Sequence, residues 1–345
     1  MALAAKKILI VGPSWVGDMV MAQSLFIVLK QKNPDCIIDV LAPAWSLPIL
    51  ERMPEVRAGI AMPVGHGKLQ LGMRMQLGKT LQRERYDQSI VLPNSLKSAL
   101  VPMFAEIPER TGWRGEMRYF LLNDIRLLIK RNYPLMVQRF VALAYPPGAE
   151  LPKQLPYPKL VVNQDNVPQL LQANKLGSDQ PFLALCPGAE FGPAKRWPEA
   201  HYAAVAATYI QRGWQVAIFG SANDHAVAES IKAALPLEQR PACINLAGQT
   251  ALSEAVDILS MAAAVVSNDS GLMHVAAALQ RPMVVVYGST SPEFTPPLGD
   301  NVAVVQLSVD CGPCFKRECP LTENAMKCLR ELKPEQVIQS LDSLC

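Results

Sequence analysis

The sequence predicts an α/β protein made of two nucleotide-type folds that face each other across a cleft. Short apolar runs alternate with helix-like stretches along most of the chain, which is typical of parallel sheets covered by helices. Two strand-to-helix turns, Gly17-Asp18 and the segment 268–274, fall in separate halves. With 345 residues, the chain exceeds one ordinary core, so two domains are expected. Because such turns present backbone N–H groups and the positive end of a helix dipole, each suits an anionic group.

The first half of the chain begins with an apolar strand, residues 7–11, followed by a turn and a helix over residues 19–30. Residues 37–41 and 89–92 are further strand candidates. Residues 62–79 are rich in Gly, Met, Lys and Arg and show little apolar periodicity. This stretch predicts a long mobile loop or a short helix at the rim of the cleft.

The second half shows the same alternation more clearly, with predicted strands at 182–185, 215–219, 244–246, 264–266 and 283–287. Helix-like patterns cover residues 201–211 and 253–262, and a last helix begins at Lys333-Pro334. Prolines accumulate over residues 145–158 and indicate an approach to a hinge. The expected domains are therefore 1–170 and 171–332, with a terminal helix, 333–345, that packs back on the first domain.

Charge is unevenly distributed along the chain. Residues 1–165 contain 21 Lys and Arg against 13 Asp and Glu, a net charge of +8, whereas residues 166–345 have a net charge of −5. The basic half suits an anionic partner such as a phosphorylated lipid or a nucleic acid. Alternatively, its Lys and Arg side chains only form the solvent-exposed faces of helices. No nucleic-acid-binding signature accompanies the charge, which disfavours nucleic acid. No apolar run reaches the length of a membrane span, and the N-terminus lacks a signal-peptide pattern, so a cytosolic protein is expected.

Seven of the eight cysteines fall into two groups. Cys36, Cys186 and Cys243 lie in or beside apolar runs and are expected to be core residues. Four more follow the spacing Cys311-x2-Cys314-x4-Cys319-x8-Cys328. In a cytosolic protein this cluster favours metal or thiol chemistry over disulfides. A structural zinc site is one interpretation, but the spacing matches no zinc finger, which favours reduced cysteines in a compact loop.

The turn of the first half is not a common cofactor fingerprint. Residues 12–17 lack both the G-x-G-x-x-G pattern and the Lys-Ser/Thr pair of a P-loop, which argues against dinucleotide oxidoreduction and P-loop phosphoryl transfer. Asp18 follows at the expected helix start, where it is either an N-cap or a general base that takes a proton from a sugar hydroxyl. Polar clusters at residues 94–98 and 110–118 are further candidate binding segments. The second contains three arginines around Trp113, as recognition of a phosphosugar would need.

Two segments of the second half contain candidate phosphate-binding residues. Residues 187–198 follow a strand, and their glycines permit close approach of a ligand. Within this segment, Lys195 and Arg196 are placed to meet phosphate oxygens, although a solvated surface loop is the alternative. In the segment 268–274, Asp269 and Ser270 can cap the next helix, and His274 can bond to phosphate or sugar.

These motifs resemble those of bacterial lipopolysaccharide heptosyltransferases, glycosyltransferase family 9, which have the glycosyltransferase-B fold. The resemblance implies two Rossmann-like domains that face each other across a cleft. The resemblance extends over nearly the whole chain, and residues 12–18, 92–99, 187–198 and 268–274 establish it. It implies an inverting, metal-independent transfer of L-glycero-D-manno-heptose from ADP-heptose to the first heptose of the lipopolysaccharide inner core. It also implies that the first domain binds the acceptor, that the second binds ADP-heptose, and that no cofactor takes part.

The resemblance assigns roles to individual residues. Asp18 would be the base, and Lys195 would stabilise the departing diphosphate. The expected donor-binding residues are Gly188, Ala189, Glu190, Lys195, Asp269, Ser270, Gly271 and His274. The expected acceptor-binding residues are Ser14, Trp15, Asn94, Lys97, Arg110 and Arg114. The implied partners are ADP-heptose and a lipid A–Kdo–heptose acceptor, met at the cytoplasmic face of the inner membrane by peripheral docking through the first domain.

Three alternatives remain open from the residues. The chain could transfer the first or third core heptose, since acceptor-side residues decide that choice. It could be an inactive nucleotide-sugar-binding protein, although Asp18 and Lys195 together argue against lost catalysis. An NAD-linked enzyme is disfavoured by the missing glycine fingerprint. If the segment 62–79 contacts the acceptor, neutralising Lys68, Arg74 and Lys79 is expected to raise the acceptor KM without changing donor affinity.

Overall fold

A computed structural model describes residues 5–65, 67–177 and 179–344 of the chain. The chain forms two compact units that divide between Leu160 and Val161. Each unit contains one six-stranded parallel sheet with helices, which is the predicted α/β architecture. The predicted boundary after residue 170 lies ten residues too late, because the helix Val167–Ala173 packs against the helix Leu252–Leu259 of the second unit.

The sheet of the first unit has the strand order β3-β2-β1-β4-β5-β6. Its strands are β1 (Lys7–Val11), β2 (Ile37–Pro43), β3 (Val56–Met62), β4 (Gln88–Val91), β5 (Glu109–Trp113) and β6 (Asp124–Arg126). Its helices are α1 (Val16–Lys32), α2 (Leu47–Leu50), α3 (Leu71–Leu81), α4 (Leu100–Phe104) and α5 (Met136–Val141). The central strand β1 is buried from Ile8 to Val11, which explains its unbroken apolar sequence.

The sheet of the second unit has the order β12-β11-β10-β7-β8-β9. Its strands are β7 (Phe182–Cys186), β8 (Gln215–Ile218), β9 (Cys243–Asn245), β10 (Ala264–Asn268), β11 (Met283–Tyr287) and β12 (Val302–Gln306). Its helices are α6 (Val167–Ala173), α7 (Glu199–Gln211), α8 (His225–Ala233), α9 (Leu252–Leu259), α10 (Gly271–Ala278), α11 (Lys327–Arg330) and α12 (Pro334–Asp342). The buried strands β7, β10 and β11 form its centre.

The terminal helix α12 packs on the second unit, against β11, β12 and α7. Its apolar stripe, Val337 and Leu341, is fully buried in the core of that unit. The Asp342 carboxylate accepts hydrogen bonds from Tyr209 and Arg212 at 2.8 and 2.6 Å, which fixes the end of the helix. The prediction that residues 333–345 pack on the first domain is therefore wrong, because the apolar stripe completes the second core.

The segment predicted as a loop or short helix, residues 62–79, contains most of the regular helix α3. Helix α3 packs against α4, and Gly78 permits this contact because a Cβ there would lie 2.4 Å from the Cβ of Phe104. Across the described residues, none of the helices has both the length and the apolar character that crossing a membrane requires.

Candidate active site

In the first unit, the candidate residues of the opening motif lie where β1 ends and α1 begins. Trp15 occupies the N-cap position, and Asp18 is the third residue of the helix, with a half-buried side chain. Asp18 is therefore not the N-cap, although an acidic residue in this turn still interacts favourably with the helix dipole. Ser14 is tied to the neighbouring loop because its carbonyl accepts a hydrogen bond from the Trp45 indole at 2.9 Å. This arrangement places Asp18 at the carboxyl edge of the sheet, where open α/β folds bind ligands.

Arg118 organises the loops that follow β4 and β5. Its guanidinium is almost fully buried and donates to the carbonyls of Pro93 and Trp113 at 2.7 and 2.6 Å, and to the Asn94 side chain at 3.3 Å. Burial lowers the pKa of Arg118 to about 10. The Glu116 backbone N–H also donates to the Asn94 carbonyl at 3.1 Å. Asn94 is thus exposed on a loop held in place by Arg118, a structural residue that the sequence marked only as part of an arginine cluster.

The predicted acceptor-binding arginines separate in the structure. Arg110 lies near the amino end of β5, and its side chain donates to the carbonyls of Leu121 and Ile107 at 2.7 and 2.6 Å. This placement, on the strand end away from the ligand edge, does not support an acceptor role for Arg110, and burial lowers its pKa. Arg114 instead lies exposed just after β5, and Lys97 is half-buried after β4. Ser14, Trp15, Asn94, Lys97 and Arg114 all follow carboxyl ends of strands.

In the second unit, the loop of residues 187–198 depends on close backbone packing. At Gly188 a Cβ would lie 2.6 Å from the Asp224 carboxylate, and at Gly192 it would lie 2.5 Å from the carbonyl of Arg317. Gly192 also has a φ of +153°, a conformation that favours glycine. The Ala194 N–H donates to the same Arg317 carbonyl at 3.0 Å. The glycines are therefore required by the protein's own loop packing.

The same loop is fixed to the end of β10 by Asn268. The Asn268 side chain accepts from the Trp197 N–H at 3.1 Å and from the Tyr202 hydroxyl at 2.9 Å, and it donates to the Pro187 carbonyl at 2.5 Å. All of these groups are buried, so their hydrogen bonds define one loop conformation. Because Ser267 pairs with Cys186 in the sheet, the segments after β7 and β10 lie side by side.

Lys195 and Asp269 form the central contact of this site. The Lys195 ammonium lies 2.6 Å from the Asp269 carboxylate, and both side chains are largely buried, with 14% and 5% exposure. Thr290, which follows β11, donates its hydroxyl to the same carboxylate oxygen at 2.6 Å. The Lys195 ammonium also lies 5.1 Å from the centre of the Phe191 ring, within cation–π range. Two predicted donor-binding residues are thus brought into direct contact, with a cation fixed at the carboxyl edge of the sheet.

Thr290 was missed by sequence reasoning. The sequence signal for Thr290 was the run Gly288-Ser289-Thr290, which places two hydroxyl side chains directly after the apolar residues of β11. Because β11 is adjacent to β10, its carboxyl end meets the same edge as Asp269. The Ser289 hydroxyl is buried there without a hydrogen-bond partner among the described residues.

His274 lies one turn into α10, and its side chain is buried. Burial lowers its pKa to about 4, and the Lys195 charge acts in the same direction, while Asp269 partly opposes the shift. The imidazole is therefore neutral near pH 7. A neutral ring can both donate and accept a hydrogen bond, as sugar hydroxyls or phosphate oxygens require.

The remaining predicted donor-binding residues lie on the same two segments. Ser270 is the N-cap of α10, although its side chain makes no capping hydrogen bond, and Gly271 is the first residue of the helix. Ala189 is buried and Glu190 is exposed, both in the loop after β7. The first-turn N–H groups of α10 thus lie beside the Lys195–Asp269 pair, an arrangement suited to phosphate.

The four late cysteines line one cavity, which also contacts Ala194, Gly288 and Ser289. All four are free thiols, and burial together with the nearby Cys311, Cys314 and Cys319 raises the pKa of Cys328. Throughout the part of the chain that the structure describes, no three His, Cys, Asp or Glu side chains are arranged to hold a metal ion. The cysteine loop also supports the Lys195 segment, because the Arg317 carbonyl accepts the Ala194 N–H.

Comparison with known proteins adds independent findings. The family model described as glycosyltransferase family 9 (heptosyltransferase) matches residues 74–325. The chain is 51% identical over 343 residues to lipopolysaccharide heptosyltransferase 2 of Escherichia coli K12, covering 98% of each chain. It is 50% identical to lipooligosaccharide heptosyltransferase 2 of Haemophilus influenzae Rd, covering 98% of this chain and 99% of the relative. The solved structure of E. coli ADP-heptose lps heptosyltransferase II superposes with a TM-score of 0.88 at 49% identity, covering 98% of each chain.

Proposed function

The chain belongs to glycosyltransferase family 9, and on that premise we propose that it transfers L-glycero-D-manno-heptose from ADP-heptose to the first heptose of the lipopolysaccharide inner core. The names of its half-identical relatives support the choice of the second heptose over the first or third. The observation that carries the proposal is the Lys195–Asp269–Thr290 contact beside the start of α10. This contact fixes a buried cation where a diphosphate can bind.

The second unit is proposed to bind ADP-heptose. The α10 N–H groups would bond to phosphate oxygens, while Lys195 would stabilise the negative charge that develops on the leaving diphosphate. Asp269 acts as a positioning residue because it holds the Lys195 ammonium at 2.6 Å. Since Lys195 is already oriented before the donor binds, little reorganisation is needed when charge develops on the leaving group.

The first unit is proposed to supply the base. The Asp18 carboxylate would take the proton of the acceptor hydroxyl as its oxygen attacks the anomeric carbon of the donor heptose. The bond from that carbon to the ADP oxygen breaks, and ADP leaves with the bonding electron pair. A single displacement of this kind inverts the configuration at the anomeric carbon.

We propose that this reaction needs no metal ion or cofactor. The loop after β7 supplies Lys195, and Arg317 is a second cation nearby. The Lys195 ammonium lies 5.1 Å and the Arg317 guanidinium 5.6 Å from the centre of the Phe191 ring. Side-chain cations and helix N–H groups can together stabilise a diphosphate without a divalent ion. Because the acceptor is a lipid-linked glycan, the enzyme is further proposed to work as a peripheral protein on the cytoplasmic face of the inner membrane.

The test is release of ADP from ADP-heptose, with and without a Kdo-linked heptose acceptor, in the presence of EDTA. We expect acceptor-dependent release by the wild type that EDTA does not reduce. Asp18→Asn and Lys195→Met should each lower kcat by about 100-fold or more, because each removes a group that acts in the transition state. The anomeric configuration of the product, read by NMR, tests inversion.

Three results would contradict parts of the proposal. Normal turnover by Asp18→Asn would remove Asp18 from the role of base. Loss of wild-type activity in EDTA would show that a metal takes part. No release by the folded wild type with this acceptor would refute the proposed substrate.

A further inference from the structure

A group of large apolar side chains is exposed on both sides of β6, the edge strand of the first sheet. Before the strand, Met117, Tyr119 and Phe120 have exposures of 82%, 56% and 94%. After it, Leu127 and Ile129 have exposures of 58% and 41%. Large apolar side chains that are exposed and grouped around one edge strand commonly mark an interaction site.

The backbone holds these side chains outward. Arg118 and Leu122, which flank Tyr119 and Phe120 in sequence, are each only 2% exposed. The N–H groups of Leu121 and Leu122 both donate to the Arg118 carbonyl at 3.1 Å, closing a tight turn. Because the residues on either side are anchored, Phe120 cannot turn into the core without breaking the turn.

Exposed cations accompany the apolar group. Arg114, Lys130 and Arg131 are exposed within the same two segments. The two acidic residues of these segments are engaged elsewhere: Glu116 accepts the Leu96 N–H at 2.7 Å, and Asp124 pairs with Arg126 at 2.7 Å. The surface is therefore apolar with a positive margin, within a half of the chain that has a net charge of +8.

We propose that this β6 surface, formed by the five apolar residues and by Arg114, Lys130 and Arg131, docks on an anionic phospholipid bilayer. The inference rests on the proposed function, because that function requires access to a lipid-linked acceptor. Aromatic and long apolar side chains enter the headgroup region, while Lys and Arg extend to lipid phosphates. The positive margin distinguishes this partner from a second copy of the chain, which would bring like charges together.

Vesicle sedimentation tests the proposal with two paired variants. Met117→Ser/Phe120→Ser removes apolar contact, and Lys130→Gln/Arg131→Gln removes charge. The matched controls are Leu237→Ser, an apolar side chain that is 75% exposed in the second unit, and Lys153→Gln, an exposed cation of the first unit. We expect the wild type to bind mixed phosphatidylcholine/phosphatidylglycerol vesicles more tightly than pure phosphatidylcholine vesicles, and less tightly as salt rises.

Each paired variant should bind the anionic vesicles about tenfold or more weakly, while the controls match the wild type. Equal binding by the variants and the wild type, or no wild-type binding, would overturn the assignment of this surface. A wild-type dimer in solution that Met117→Ser/Phe120→Ser dissociates would assign the surface to a second copy and would also overturn it.

Activity measured on a de-acylated, water-soluble acceptor separates this inference from the proposed function. Both paired variants should retain wild-type kcat and KM on that acceptor, which also shows that they are folded, but should lose activity on acceptor embedded in anionic vesicles. Absence of any heptosyl transfer by the wild type to the soluble acceptor would refute the proposed function and leave the vesicle-binding result intact.

Discussion

At the residue scale, burial determines the charge on His274. The imidazole has a pKa of about 4 because it is removed from water, while an exposed or unfolded histidine titrates near pH 6.5. Between these two pH values, the unfolded chain binds a proton at His274 that the folded chain does not. The folded state therefore loses stability as the pH falls through this window, by up to about 3 kcal/mol, and regains it as the pH rises.

The pH dependence of unfolding tests this assignment. We expect the free energy of unfolding to fall less steeply between about pH 6.5 and pH 4 in His274→Gln than in the wild type. Burial also lowers the pKa of His201, but that residue is present in both proteins, so their difference isolates His274. Parallel curves, measured by urea denaturation at a series of pH values, would show that His274 titrates normally in the folded chain.

Reasoning from the sequence selected candidate residues where a motif was contiguous, and their roles stay predictions. Lys195 and Asp269 were both predicted, and the structure brings them into contact. Thr290 and Arg118 were not predicted as structural partners, because each acts through hydrogen bonds that depend on sheet order or on a loop path. Arg110 and Arg114 were grouped in the sequence, but the structure places Arg110 near the amino end of β5 and Arg114 just after its carboxyl end.

At the element scale, helix α3 depends on a buried cation. Arg74 is 4% exposed, and its guanidinium donates to the carbonyls of Leu69, Lys68 and Lys97 at 2.6, 3.1 and 3.2 Å. Burial lowers the pKa of Arg74 because water no longer solvates the charged guanidinium. The hydrogen bonds to the three carbonyls therefore replace that lost solvation. Arg74 thus joins the start of α3 to the loop after β4, and neutralising it is expected to affect stability as well as any acceptor contact of the segment 62–79.

We expect Arg74→Gln to lower the free energy of unfolding by about 2–4 kcal/mol, because several carbonyls lose their donor. Lys68→Gln and Lys79→Gln are exposed controls and should change it by less than about 0.5 kcal/mol. Thermal and urea denaturation measure these differences. Wild-type stability in Arg74→Gln would mean that the contacts of its guanidinium contribute little to α3.

Sequence patterns predicted the strands better than the less regular helices. The parallel strands are buried on both faces and so appear as unbroken apolar runs, as in β7 and β11. Helix α3 was predicted only as one of two alternatives, because residues 62–79 are rich in Gly, Met, Lys and Arg and show little apolar periodicity. The stripe of α12 was visible, but its partner was not, since an apolar stripe alone does not specify which core it completes.

At the scale of the whole molecule, the two units differ in charge and in the groups at their sheet edges. The first half of the chain is basic and provides Asp18, while the second is acidic overall but places Lys195 beside the start of α10. A local cation within an acidic unit indicates a site for a compact anion, whereas a broadly basic unit suits an extended phosphorylated partner. This difference supports donor binding in the second unit and acceptor binding in the first.

Hydrogen exchange with bound ADP tests whether the second unit, and not the first, binds the donor nucleotide. We expect ADP to slow exchange in residues 187–198 and 268–274, because the diphosphate would bond to these N–H groups and stabilise the second unit by about 2.7 kcal/mol at 100 times its Kd. Residues 12–18 should be unaffected.

Two controls separate binding of the diphosphate from other effects. Adenosine, which lacks the diphosphate, should protect residues 268–274 less, and Lys195→Met should weaken the effect of ADP. Protection confined to residues 12–18 would instead assign the nucleotide to the first unit, and Lys195 would then lose its role at the leaving group.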